Sequence, residues 1–175
     1  KGGMDGIQTA AEVRSRFGDG SGWGVKLNYQ VLEKPLGTAG ALKALGPASL
    51  PADVLVLNGD YYVSGDLRAL TAAHRAHAGL ATLAVLPAKE HPEDSPVVMG
   101  PSRLIVGLPL TIDDGPKGFA VGPLAVLRRG LMHFVADEGP SDLVRDAFQA
   151  ALKAGESLVG YPWPGTAVDL GTADR

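Results

Sequence analysis

The chain contains no cysteine, which removes disulfides, thiolate nucleophiles, zinc–cysteine sites and iron–sulfur clusters at once. Any metal must be held by oxygen or imidazole. Long hydrophobic runs are also missing. The apolar stretches are short, such as Val54 to Leu57, against the ~18 residues a transmembrane helix needs, so no membrane partner is expected. No block of Lys or Arg stands against the formal net charge of -3, and nucleic acid is excluded as a partner on that ground. No basic segment followed by an apolar one marks a signal peptide. The first residue is Lys1 rather than Met, so further sequence is expected upstream. Neither an internal repeat nor a linker is visible, because the 24 glycines and 13 prolines are dispersed among periodic apolar segments.

What remains is a chain of 175 residues with 45% hydrophobic and 20% charged residues, enough apolar surface to fold as a single domain over 1–175. Thr9 to Phe17 reads as a short helix capped by Thr9, and Val25, Leu27 and Tyr29 alternate with polar residues as a half-buried strand would. Leu32 to Leu45 reads as a loop feeding a helix. Asp53 to Leu57 has the unalternating pattern of a central parallel strand covered on both faces. A helix over 66–79 and a strand over 81–86 complete a βαβ unit, which places the middle of the chain in an α/β fold. A small hairpin over 97–106, a buried strand over 119–127, a helix over 141–154 capped by Ser141 or Asp142, and strands over 157–161 and 166–170 follow.

Asp60 comes directly after the Asp53–Leu57 strand, where open α/β sheets bind ligands. The alternative is that Asn58–Gly59 turns a tight hairpin. Asp169 follows a second short strand, with Thr172 as a helix cap. Two strand-end carboxylates in one crevice suit magnesium, which binds one or two carboxylates together with waters and phosphate oxygens, and so suggest phosphoryl chemistry. Gly37, Thr38, Ala39 and Gly40 offer backbone amides at a helix start, either for a nucleotide or merely as a glycine turn. His74 and His77 stand three apart on a helix, by default on a solvated or partly packed face and otherwise as metal ligands. Trp23 and Trp163 are read as packing at the core edge, with Trp163 alternatively lining a sugar pocket.

Three segments in order, Glu33 to Leu42, Leu57–Asn58–Gly59–Asp60 with Asp66–Leu67 and His74, and Val168 to Thr172, resemble the sugar-1-phosphate nucleotidyltransferases. The Pro-Leu-Gly-Thr-Ala-Gly form is most similar to bacterial mannose-1-phosphate guanylyltransferases and related enzymes. The resemblance runs from about Thr9 to Arg175. It implies a Rossmann-like three-layer α/β sandwich with a mostly parallel central sheet, of nucleotide-diphospho-sugar transferase type. It also implies a cytoplasmic enzyme whose partners are an NTP and a sugar 1-phosphate, GTP and mannose 1-phosphate first among them, with a homodimer left open. The sugar phosphate oxygen attacks the α-phosphorus in line and pyrophosphate leaves, so catalysis is mainly alignment and charge neutralisation.

By the same resemblance, Asp60 and Asp169 are the catalytic carboxylates that hold Mg2+, or Mn2+ in its place. Leu36, Gly37, Thr38 and Gly40 face the base, Asn58 and Gly59 lie along the ribose and phosphates, and Gly122 lets the sugar approach the sheet. Asp142, in Ser141–Asp142–Leu143, stands where the family has a glutamate beside the sugar. The family's glycine-rich triphosphate loop, with its arginine and the lysine that follows, has no counterpart in Lys1 to Gln8. The first βα unit is therefore expected outside these residues, and the 175 residues alone are expected to be inactive. Two other readings compete: a family member that binds without catalysing, and a nucleotide-sugar-using glycosyltransferase. Against the second, Asp60–Tyr61–Tyr62 is not an Asp-x-Asp pair.

Overall fold

The computed structural model describes residues 6–91, 94–109 and 118–171, with the side chains of 6–9 left aside. The chain divides into two compact units, Lys1–Leu36 and Gly37–Arg175. In the first, helix α1 spans Gly6–Phe17, so Thr9 lies inside the helix rather than at its cap. The alternating segment 25–29 forms no strand. It folds back on the turn after α1 instead: the Leu27 amide donates to the Asp19 carbonyl (2.8 Å), and the Tyr29 hydroxyl to the Gly18 carbonyl (2.8 Å). The Arg14 guanidinium lies over the Tyr29 ring, 5.3 Å from its centre. Alternation without a pairing strand does not make a sheet. Trp23 is 67% exposed and touches Phe17, so it is not at a core edge.

The second unit starts with α2 (Gly37–Ala44) and continues through β1 (Asp53–Leu57), β2 (Tyr61–Val63), α3 (Leu67–Arg75) and β3 (Ala81–Pro87). The hairpin β4 (Pro96–Met99) and β5 (Ile105–Gly107) precedes the long β6 (Phe119–Arg128). A helix follows, wound as a π-helix over Leu143–Phe148 and as α-helix α4 over Gln149–Lys153, and then β7 (Leu158–Pro162) and β8 (Ala167–Asp169).

The main sheet has the order β5-β4-β6-β3-β7, with β1 also on β6. β1, β3 and β4 each run antiparallel to β6, and β7 runs parallel to β3. Four strands therefore share one direction, while β6 is inserted against them and β5 returns along β4. Side chains along β3 alternate between two cores, as the pleat requires. Ala81, Leu83 and Val85 pack with Phe148 and Leu131 on one face, and Ala84 and Leu86 with Leu70 and Trp163 on the other. Helices thus cover both faces of the sheet, the three-layer α/β arrangement of Rossmann-like folds.

β1 departs from the reading of a doubly covered central strand. Among the described residues it pairs with β6 alone, and Leu55 and Leu57 on one of its faces are 42% and 49% exposed. β2 does not pair with β1 either; it forms a separate two-stranded ribbon with β8. Asn58–Gly59 is accordingly a turn between strands of different sheets, and the hairpin alternative falls. No helix among the described residues is long and apolar enough to cross a membrane.

Candidate functional site

β1 and β4 share one edge of β6 end to end: Leu57 faces Leu124, and Pro96 faces Ala120. Between those seats β6 bulges. Its register against β3 slips as Leu83 pairs with Ala125 but Val85 with Val121, so Gly122, Pro123 and Leu124 crowd opposite Ala84. Bulges of this kind re-aim side chains beside functional sites. A β-carbon on Gly122 would lie 3.0 Å from the Ala84 carbonyl oxygen and 3.2 Å from Leu86 Cγ, so a side chain there would press on the neighbouring strand.

Over the bulge opens a crevice of about 150 Å³. Its lining includes Asn58 and Tyr61, Asp94 and Ser95, and Thr38 and Asp142. The Asn58 amide donates to the Pro123 carbonyl (3.0 Å), tying the end of β1 to the bulge.

The β2–β8 ribbon brings the two candidate metal carboxylates together. Tyr61 is registered with Asp169, and the Leu170 amide donates to the Asp60 carbonyl (2.7 Å). A β-carbon placed on Gly171 would meet Asp169 Oδ1 at 3.1 Å and Asp60 Oδ2 at 3.4 Å, so both carboxylates converge over a residue that has no side chain. Asp60 is exposed and Asp169 half-buried, with Asp169 Oδ1 accepting from the Gly171 amide (2.7 Å); a pair of carboxylates is the donor type a hard cation takes together with water and phosphate. Among the described residues no group of three or more histidine, aspartate or glutamate side chains is placed to hold a metal ion. Thr172 lies outside the described residues.

Tyr61, next to Asp60, joins this pair to the crevice. Its hydroxyl donates to Asp94 Oδ1 at 3.4 Å. Burial, with the charges of Asp94, Asp169 and Asp60 around it, pushes the phenol up to about 12, so the hydroxyl remains a neutral donor.

The glycine-rich start of α2 is built differently from the expectation of free amides. The amides of Ala39 and Gly40 both donate to the Ser141 carbonyl (2.9 and 3.1 Å). Thr38 Oγ1 donates to Asp142 Oδ2 (3.0 Å) and accepts from the Leu143 amide (2.8 Å). Asp142 Oδ1 in turn accepts from the amides of Val144 and Arg145 (2.8 and 2.9 Å), capping the next helix. Two helix starts are thus clasped to each other. Thr38, Asn58, Gly122 and Asp142 reach the crevice, whereas Gly37, Gly40 and Gly59 are not among its lining residues. Leu36 is half-buried in the first unit.

Trp163 is 6% exposed, packs in the core beside Leu70, donates from its indole to the Ser64 carbonyl (3.1 Å), and is not among the described residues that line the crevice. His74 is fully buried, not on a solvated face. Tyr61, Asp94, Ser95 and Gly171 escaped the sequence reading. Tyr61 stood beside Asp60 in plain view, but Asp94 lies in an irregular segment whose proximity to β1 only the shared edge of β6 reveals.

The nucleotidyl transferase family model matches residues 7–96. The chain is 34% identical over 82 residues, 47% of its length and 36% of the relative's, to a D-glycero-alpha-D-manno-heptose 1-phosphate guanylyltransferase of Aneurinibacillus thermoaerophilus. It is 25% identical over 165 residues, 94% of its length and 46% of the relative's, to a mannose-1-phosphate guanylyltransferase of Mycobacterium tuberculosis. It therefore spans less than half the length of these curated relatives. Two solved structures share the fold over 94% of the chain. One, covered to 68%, is a Bacillus anthracis protein crystallised with sucrose and described as a glucose-1-phosphate thymidylyltransferase (TM-score 0.79, 20% identity). The other, covered to 70%, is HddC from Yersinia pseudotuberculosis complexed with GMP-PN (TM-score 0.71, 13% identity).

Proposed function

The chain belongs to the nucleotidyl transferase family, and from that premise we propose that it serves the transfer of a nucleotidyl group from an NTP to a sugar 1-phosphate, giving an NDP-sugar and pyrophosphate. The names of the two guanylyltransferase relatives favour GTP with mannose 1-phosphate or a related sugar. The observation that carries the reading is the convergence of Asp60 and Asp169 over Gly171, one residue from a tyrosine that lines a crevice of ring size.

In this reading Asp60 and Asp169 would hold Mg2+, which when bound supplies positive charge against the phosphate oxygens. The donor set fits: two carboxylates, with the remaining positions left to water and phosphate. Asn58, at the end of β1, and Thr38, at the start of α2, line the crevice and orient what enters it. Tyr61 presents a fixed donor between the carboxylate pair and the crevice. Chemistry then requires only that the sugar phosphate oxygen lie in line with the α-phosphorus and the departing pyrophosphate, a task of alignment.

The test is pyrophosphate release by the full product of the gene, offered each NTP with a panel of hexose and heptose 1-phosphates. Release with at least one pair, dependent on Mg2+ or Mn2+ and lost in Asp60→Asn and Asp169→Asn, is the expected result. Release that persists in either variant at the same metal concentration overturns the shared role of that residue.

A further inference from the structure

The helix that runs from Leu143 to Lys153 separates two hollows. Leu143, Val144 and Phe148 line the crevice over the β6 bulge, whereas Arg145, Gln149 and Lys153 line a groove on its other side, and no residue lines both. The groove lies between this helix and the segment from His133 to Ala136 and has a volume of about 670 Å³, within the size range of sites for small organic ligands. Val135 and Ser141, at 4% and 3% exposure, are its buried lining and so form its floor.

Two features of the groove are unused by the protein itself. Ser141 Oγ is buried without a hydrogen-bond partner among the described residues, although the carbonyl of the same residue takes the amides of Ala39 and Gly40. A buried hydroxyl left unpaired is destabilising, and a water or ligand oxygen is what ordinarily completes it. The side chains of Arg145, Lys153 and His133 make no hydrogen bond or ion pair among the described residues. Arg145 and Lys153 stand either side of Gln149 along one line of the helix, so two long cationic side chains overhang the same stretch of groove. The one carboxylate in the lining, Asp146, already accepts from the Asp142 amide through Oδ2 (2.7 Å). Phe134, Pro140 and Ala150 add apolar surface. Cations suited to phosphate, an unpaired hydroxyl on the floor and apolar sides together match a ring that carries a phosphate group.

We propose that this groove is a second ligand site, separate from the crevice, for a small organic phosphate. Arg145 and Lys153 hold the phosphate, the Ser141 hydroxyl on the floor is its further partner, and the ring lies along Phe134 and Pro140. The site stands independently of the function proposed above, because none of its lining residues enters that reading.

The experiment titrates the full product of the gene with phenyl phosphate and with inorganic phosphate, followed by phosphorus NMR, in a chelator so that no metal-held phosphate contributes. Phenyl phosphate is expected to bind saturably and more tightly than inorganic phosphate. Arg145→Gln and Lys153→Gln should each weaken it about tenfold, and Asp60→Asn should leave it unchanged. Ser141→Ala is the sharper variant. Its hydroxyl has no partner to lose, so urea unfolding of the free protein should show equal or greater stability, while phenyl phosphate affinity falls about three- to tenfold. Thermal unfolding checks that the arginine and lysine variants fold. Absence of saturable binding, affinity undiminished in the folded Arg145→Gln, Lys153→Gln double variant, loss of binding in Asp60→Asn, or inorganic phosphate bound equally well overturns the proposal. A Ser141→Ala protein that is less stable when free shows the hydroxyl to be partnered already and overturns its place in the site.

Discussion

Gly37 lies directly against the carbonyl of Ser141: it adopts φ +71°, and a β-carbon there would run into that oxygen. Gly37→Val therefore meets two separate penalties, a left-handed backbone for a β-branched residue and a collision with backbone that cannot swing aside. Together these amount to roughly 2–6 kcal/mol. The expected outcome is a large loss of stability in urea unfolding, with nucleotide and sugar-phosphate binding falling together. Selective loss of nucleotide binding in a variant of normal stability would instead give Gly37 a place beside the base.

Asp60→Asn and Asp169→Asn should leave stability within about 0.5 kcal/mol, because neither side chain belongs to a core. In Asp169→Asn the side-chain amide oxygen can still accept from the Gly171 amide, as Asp169 Oδ1 does now at 2.7 Å. Turnover by the full gene product should fall by at least about a hundredfold, since charge neutralisation at phosphate is worth several kcal/mol. Paired measurements of pyrophosphate release and thermal unfolding check both halves of this expectation.

Acid should destabilise the fold through two imidazoles, His74 fully buried and His77 half-buried. The Gly79 amide donates to His77 Nδ1 (2.9 Å), so His77 carries its proton on Nε2 and donates to Thr82 Oγ1 (2.7 Å). The Thr82 hydroxyl then donates to His74 Nδ1 (2.9 Å), and His74 Nε2 faces Asp53 Oδ1 at 3.6 Å. Both rings are held below the ordinary 6.5 by burial first. In His74 burial prevails over the opposing pull of Asp53, with the charges of Arg128 and His77 on the side of burial, and in His77 the charge of Arg128 adds to burial. Below pH 6.5 the unfolded chain takes up protons that the folded one resists, so the stability these rings contribute is complete above 6.5 and declines as pH falls below it. Thr82→Val, which leaves both imidazoles without their shared partner, should cost about 1–3 kcal/mol at pH 8. Urea titrations at pH 8 and 5.5 measure both effects.

The sequence was most informative where local pattern and tertiary role coincide. The apolar run of β3, the Asp142 cap and the strand-end positions of Asp60 and Asp169 could all be read directly, because each depends on neighbours in sequence. The reading failed where a distant partner decides. Val25, Leu27 and Tyr29 alternate like a strand but pair with none among the described residues. The amides of α2 look free until the Ser141 carbonyl, about a hundred residues away, is placed on them. Asp94 joins the crevice only because β1 and β4 share one edge of β6. The composition of β1 reads as a covered central strand, yet within the described residues it has one neighbour.

That bare edge leads to the last expectation. β1 presents an unpaired row of backbone groups among the described residues, and its sequence Asp53–Leu57 carries no lysine, proline or bulge of the kind that blunts sheet edges. Leu55 and Leu57 sit half-exposed on the same face, so pairing at the edge also removes apolar surface from water, at about 25 cal/mol per Å². The 175-residue chain by itself should therefore associate as its concentration rises, in sedimentation velocity or light scattering. Leu55→Lys and Leu57→Lys place charge beside the open edge without touching the buried residues Val54 and Val56 contact on the other face, and should return the chain toward monomer at equal concentration. A wild-type chain that stays monomeric into the hundred-micromolar range, about where weak edge contacts become populated, would mean that the edge is covered. Association unchanged in both lysine variants would mean that a different surface drives it.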